Sequence, residues 1–160
     1  SGKSSFAYAL MGHPRYHITH GDILFDGSSL LSLAPHERAQ LGIFVAFQHS
    51  HPLPGVTVFN FLKETYCALK NCSVDVIEFQ KQVVELLIFM GLSPSFIDRQ
   101  VHDGFSGGEK KRFEMVQALL YQPRVIILDE LDSGLDIDAL TKVAAAIERL
   151  LQHSSSTSIL

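Results

Sequence analysis

The sequence predicts an α/β fold in which a parallel sheet is layered with helices and a helical stretch is inserted near the middle. Three observations carry this. Val125-Ile126-Ile127-Leu128 is an apolar run without alternation, as expected of a parallel strand buried on both faces. Helical periods flank that run, and the order strand, helix, strand is that of a layered α/β core. Between about Thr57 and Val101 two helical periods follow one another with no strand between them.

Each element has its own signal. Ser5 to Met11 reads as a helix with Phe6, Ala7 and Leu10 on one side, ended by Gly12 and Pro14. Ile23-Leu24-Phe25 reads as a strand closed by the Asp26-Gly27 turn. Pro35 to Leu41 suits a short helix that Gly42 stops, and Ile43 to Phe47 is an apolar strand that delivers Gln48 to its end. Pro52, Pro54 and Gly55 break the chain; Phe59, Leu62, Tyr66 and Leu69 then recur at helical spacing. From about Asp75 to Met90 a second helix buries Phe79, Val83, Leu86, Leu87 and Met90, and Gly91 ends it. Helices are expected from Gly107 to Tyr121, closed by Gln122-Pro123, and from Asp138 to Leu151; Ser154 to Ser158 reads as a solvated loop. The expected division is a core of 1–56 and 102–160 with a helical subdomain at 57–101.

Bulk properties narrow the function. A 160-residue chain fits one domain that buries roughly 68–70% of its unfolded surface. With 46% hydrophobic residues, 19% charged residues and a net charge of −4, the chain carries no nucleic-acid footprint. Lys110-Lys111-Arg112 is the only dense basic cluster, and three adjacent charges fit a solvated helix face. Cys67 and Cys72 complete no zinc spacing and read as free thiols. Glu85 interrupts the best apolar stretch, Val83 to Leu92, well short of the ~18 residues a membrane span needs, so no direct membrane insertion is expected. His49 and His51, with no third ligand, read as solvated.

Chemistry concentrates at three places. Gly2-Lys3-Ser4 before a helix matches the second half of a phosphate-binding loop, in which backbone N–H groups and the helix N-terminus hold phosphate oxygens. Lys3 would reach the β- and γ-phosphates and Ser4 would place its hydroxyl on Mg²⁺. Asp129 follows the buried run, at the sheet edge where ligands bind, and suits the Mg²⁺ shell; Glu130 can turn toward an attacking water as general base. Ser106-Gly107-Gly108 combines a cap hydroxyl with two positions free of side chains, an anion site at a helix start. Lys110, Lys111 and Arg112 crowd the same turn against the helix dipole, a cost that a bound phosphate would offset.

Phe105-Ser106-Gly107-Gly108-Glu109 resembles the signature motif of ATP-binding-cassette (ABC) ATPases. In chain order, Gly2-Lys3-Ser4, Gln48, this signature, Val125 to Glu130 and Asp132 to Asp136 resemble that family's phosphate loop, Q-loop, signature, Walker B strand and D-loop. The resemblance implies a P-loop NTPase core and a head-to-tail dimer that places each ATP between one subunit's phosphate loop and the other's signature. It implies nucleotide contacts from Ser1, Gly2, Lys3, Ser4, Ser5, Ser106, Gly107, Gly108, Glu109 and Asp136. Ser4, Gln48 and Asp129 would attend Mg²⁺, and Gln48 and Glu130 would attend the water. The first half of the phosphate loop, an adenine-stacking strand and a switch histidine are expected outside these residues.

A narrower resemblance, carried by Gly12-His13-Pro14, Gly21 to Gly27, Glu37-Arg38-Ala39, Pro54-Gly55-Val56, Gly104 to Arg112 and Asp132 to Ala139, is to the SufC family of iron–sulfur cluster assembly. That implies partners of the SufB/SufD scaffold type, and a cytoplasmic setting, or the plastid stroma if a transit peptide precedes the chain. The alternatives are the energy-coupling subunit of a membrane transporter and a non-catalytic binding fragment. His49-Ser50-His51, Leu131 and Phe113 depart from the family pattern.

Overall fold

The computed structural model describes residues 2–46, 51–128, 136–153 and 158–159. Helix α1 (Lys3–Leu10) leads into a hairpin, β1 (Leu24–Phe25) and β2 (Ser28–Ser29), then α2 (Pro35–Gln40) and β3 (Ile43–Ala46). Next come α3 (Val58–Lys70), α4 (Val76–Phe89), a 3-10 turn (Pro94–Asp98), α5 (Gly107–Tyr121), β4 (Val125–Leu128), α6 (Ile137–His153) and β5 (Ser158–Ile159). Strands β3, β4 and β5 form one parallel sheet in that order. The register runs from Ile43 opposite Val125 to Ala46 opposite Leu128, so both strands finish side by side at one sheet edge.

Side-chain alternation divides the core between the two faces of this sheet. Ile43, Val45 and Ile127 face one way and bury Ala7 and Leu10 of α1 together with Leu30. Ile126, with Phe44, Leu128 and Ile159 packed beside it, faces the other way into the larger core built by α3 to α6. Met11, next after α1, lines a cavity with Gly42 and Ile43 at the start of β3. Helix α1 therefore runs antiparallel to β3. Eight helical residues span about 12 Å, the length of a four-residue strand, so the N-terminus of α1 emerges at the edge where β3 and β4 end.

The helical stretch is tied at its neck. Thr57 and Gln100 form an antiparallel bridge, Val58 N–H donates to the Arg99 carbonyl at 2.8 Å, and Val101 N–H donates to the Val56 carbonyl at 3.0 Å. Thr57 caps α3 through Asn60 N–H, and Asp75 caps α4 through the N–H groups of Ile77 and Glu78. Phe79, Val83, Leu86 and Leu87 of α4 are buried, as their spacing predicts, and share one core with Phe113 of α5 and Val143 of α6.

One expectation needs correction. Ser158 is not loop: it pairs with Val125 in β5, and its N–H donates to the Arg124 carbonyl at 2.9 Å. The ladder uses only the backbone there, and an exposed serine gives no strand signal. The Asp26-Gly27 turn does more than end a strand. It reverses the chain into β2, with φ of 50° and 77° at the two turn residues, the left-handed pair a tight hairpin requires. Arg124 grips the hairpin through both carboxylate oxygens of Asp26, at 2.6 and 3.0 Å, and lies over the Phe25 ring. Phe47, the expected end of β3, lies outside the described residues.

One buried cation fixes the far end of α1. Arg38 is 4% exposed, and its guanidinium donates to the carbonyls of Leu33, Ala9 and Leu10 at 2.9, 3.0 and 2.7 Å. Positive charge against the C-terminal carbonyls of a helix opposes its dipole and satisfies acceptors that the helix leaves open. Gly12 makes room for it: at φ 72° a Cβ there would stand 2.9 Å from Arg38 Cζ. We expect Arg38→Met to destabilise the intact protein by about 2–4 kcal/mol, since it orphans buried carbonyls. Urea denaturation at pH 7 checks this, and a loss below about 0.5 kcal/mol would refute the cap.

Candidate functional site

Two helix starts present exposed backbone N–H groups. At the first, Gly2 precedes α1 in a left-handed conformation, φ 80°, which a side chain would strain, and no side chain caps the helix. Lys3, Ser4 and Ser5 are exposed, and the first turn contains no acidic residue. Their N–H groups have no acceptor within the helix, and the dipole adds about half a positive charge there. With the Lys3 ammonium in the same turn and no acid in it, this end of α1 is suited to phosphate oxygens.

The second start is Ser106-Gly107-Gly108 on α5. Ser106 Oγ accepts from Glu109 N–H at 3.2 Å, and Glu109 Oε2 accepts from Ser106 N–H at 2.8 Å, a reciprocal capping box. The Ser106 hydroxyl keeps its own hydrogen for donation, and the N–H groups of Gly107 and Gly108 have no intrahelical acceptor. Gly107 faces open space, with nothing within 4 Å of an added Cβ. Phe105, 7% exposed, anchors the preceding loop against Phe96 and Phe113.

Glu109 also pairs with Arg99, whose Nη1 lies 2.8 Å from Oε1. Burial pushes the Glu109 carboxyl up, but the Ser106 N–H and the Arg99 guanidinium outweigh it and hold the group below its ordinary range. Glu109 is the acidic residue of this first turn, and its charge is taken up by Arg99. Arg112 reaches away from it, donating to the Gly91 carbonyl at 3.0 Å.

Asp136 stands before α6, where its Oδ1 accepts from Ala139 N–H at 2.7 Å. Ser1, Gln48, Asp129 and Glu130 lie outside the described residues, as do His49, Ser50 and Leu131. In sequence Gln48 follows Ala46 by two positions and Asp129 follows Leu128 directly, and those two strand ends are paired neighbours.

Three features escaped the sequence reading. The Ser106-x-x-Glu109 spacing is itself the signal of a capping box. Arg99 gives no comparable signal, because its partners are set by the path of the chain from 99 to 109. Phe113, a departure from the family pattern, is fully buried among Phe61, Phe96, His102 and Phe105, so its apolar character belongs to the core beneath the signature loop.

Farther along α5, burial pushes the Glu114 carboxyl up to about 7, against the pull of Lys111 and Lys110. An acid raised in the folded state costs stability progressively as pH climbs from its unfolded value to its folded one. Glu114→Gln should therefore raise Tm at pH 8, by on the order of 5 °C, and change it little near pH 4.5. Equal shifts at both pH values, read by differential scanning calorimetry, would contradict that placement.

The model of the family described as ABC transporter matches residues 1–133. The "Probable ATP-dependent transporter ycf16" of Trieres chinensis is 46% identical over 160 residues, which cover 98% of this chain and 64% of the relative. The "Probable ATP-dependent transporter slr0075" of Synechocystis sp. is 42% identical over 164 residues, covering 100% of this chain and 64% of the relative. "ABC transporter I family member 6, chloroplastic" of Arabidopsis thaliana is 41% identical, with 98% and 47% covered. The chain thus spans just under two thirds of the length of the first two relatives. Among solved structures, the ATP-binding cassette MJ0796, in a dimeric post-hydrolysis state bound to ADP and Pi, superposes with a TM-score of 0.76 at 20% identity. That likeness covers 98% of this chain and 68% of the cassette, and it extends to the fold. With more than four fifths of its residues matched by the family model and its fold that of a solved cassette, the chain belongs to the ABC transporter family.

Proposed function

We propose that this chain contributes most of the nucleotide site of a Mg²⁺-dependent ATPase that hydrolyses ATP as a head-to-tail dimer. One observation carries the reading. The two anion-binding helix starts belong to helices on opposite faces of the sheet, α1 in the smaller core and α5 in the larger. A single triphosphate gripped by both is best served by two chains, with the Gly2–Ser5 end of one facing Ser106–Gly108 of the other. The dimeric form of the solved cassette supports this arrangement.

Under this proposal Lys3 and the N–H groups of residues 2–5 hold the β- and γ-phosphates, and Ser4, Gln48 and Asp129 hold Mg²⁺. The cationic, acid-free first turn of α1 fits the negative charge of the phosphates. Held by these residues, Mg²⁺ would supply positive charge against the phosphates. Glu130 takes a proton from the attacking water, whose oxygen bonds to the γ-phosphorus as the bond to the β-phosphate oxygen breaks. ADP and inorganic phosphate leave. From the opposite subunit the Ser106 hydroxyl and the Gly108 N–H donate to the γ-phosphate oxygens, where negative charge is held through the transition state. Asp136 and Glu109 belong to the same proposed nucleotide site, each held by a helix cap. Residues 57–101 act as a helical subdomain beside a core of 1–56 and 102–160.

The partner class we propose is a scaffold of the SufB/SufD type in iron–sulfur cluster assembly, with a cytoplasmic or plastid-stromal setting. The extended SufC-like sequence match supports it, as does the relative named chloroplastic. The names of the ycf16 and slr0075 relatives favour the second reading, an energy-coupling subunit of a transporter. Among the described residues no helix is long and apolar enough to cross a membrane. Affinity purification of the intact protein separates the two readings: recovery of scaffold proteins supports the first, and recovery of a permease overturns it.

In the intact protein Glu130→Gln should lower hydrolysis by at least about 10²-fold while an ATP-bound dimer accumulates. Normal phosphate release by that variant would remove Glu130 from the role of base.

A further inference from the structure

Arg99 holds the second anion site from three directions. Its Nη2 donates to the Gly104 carbonyl at 3.0 Å, its Nη1 binds Glu109 Oε1 at 2.8 Å, and its guanidinium carbon lies 4.7 Å from the Phe105 ring centroid and 4.9 Å from that of Phe96. The loop before Ser106 and the acid that completes the capping box are thus fastened to one side chain. The Arg99 carbonyl accepts from Val58 N–H at 2.8 Å, and its neighbour Gln100 accepts from Gly55 N–H through Oε1 at 3.1 Å. The same two residues therefore join this loop to the segment that follows Gln48 in the chain.

Electrostatics gives Arg99 a second task. Glu109 bonds to the Ser106 N–H, so a carboxylate stands in the very turn that would receive a phosphate. Unpaired, that negative charge repels the ligand. A planar guanidinium lying over two adjoining rings neutralises it while keeping donors for the loop carbonyl, which a lysine ammonium does not do equally well.

We propose that Arg99 is the positioning residue for the Ser106-Gly107-Gly108 anion site: it fixes the loop and cancels the Glu109 charge so that the opposite subunit's γ-phosphate is accepted. This rests on the two-subunit reading above. The test uses the intact protein carrying Glu130→Gln, so that ATP is held, and measures ATP-driven dimerisation by light scattering alongside the affinity of the monomer for a fluorescent ATP analogue. Arg99→Gln should weaken dimerisation by about tenfold, with analogue affinity unchanged within about twofold. Adding Glu109→Gln should recover most of the dimerisation, because the uncompensated charge is then gone; a purely structural role predicts a further loss instead. Should Arg99→Gln fail to fold, Arg99→Lys keeps the charge, gives up the fork, and should show the same effect at smaller size. Dimerisation that is indifferent to Arg99, a parallel fall in monomer affinity, or no recovery with Glu109→Gln would each overturn the proposal. Absence of any ATP-driven dimer when Arg99 is intact would bring down the two-subunit reading, and this inference with it.

Discussion

The parallel pairing of β3 with β4 is the constraint on which the rest depends. Residues 43–46 and 125–128 are some eighty positions apart in sequence, yet four successive pairs hold them in register. A parallel ladder cannot be closed by a tight turn, so the intervening chain must leave the sheet and return. It does so as α3, α4 and α5, whose buried faces fill one side of the same sheet. The pairing also brings two strand ends together at one edge, and α1, held at its other end by Arg38, opens its N-terminus toward that edge.

Polar chemistry is then distributed by simple rules of helix ends. The first turn of α1 carries a cation and no acid, and it offers its N–H groups without a side-chain cap. The first turn of α5 is capped, yet it leaves the Gly107 and Gly108 N–H groups outward and spends its one acid on Ser106 and Arg99. The two ends differ as two halves of one site would: one attracts a polyanion strongly, and the other completes its coordination with neutral donors and a neutralised carboxylate.

Much of this could be read from sequence, for identifiable reasons. Strong periodicity placed α3, α4 and α6 within a residue or two, because Phe79, Val83, Leu87 and their like have no solvated alternative, while the Ser106 start and the Gln122-Pro123 stop bounded α5. The apolar run at 125–128 announced a strand buried on both faces. Weak local signals failed: Ser158 enters the sheet through its backbone alone, and the hairpin strand Ser28–Ser29 consists of two serines. The contacts of Arg38 and Arg99 escaped notice because their partners, Ala9 and Leu10 for one and Gly104 and Glu109 for the other, are defined only by the folded chain path. The glycine at 12 and the arginine at 38 were seen as separate parts of a pattern; their contact explains why the two belong together.

The central claim is that each nucleotide is held by the α1 end of one chain and the α5 end of another. Complementation between two crippled proteins tests it most directly. Lys3→Ala removes the first half-site and Ser106→Arg blocks the second, so each intact-length variant alone should hydrolyse ATP at background rate. Mixed together, they form a heterodimer in which one complete site is assembled from the undamaged half of each chain. Hydrolysis by the mixture well above the sum of its parts is the result predicted; activity no greater than that sum would contradict a site shared between two chains.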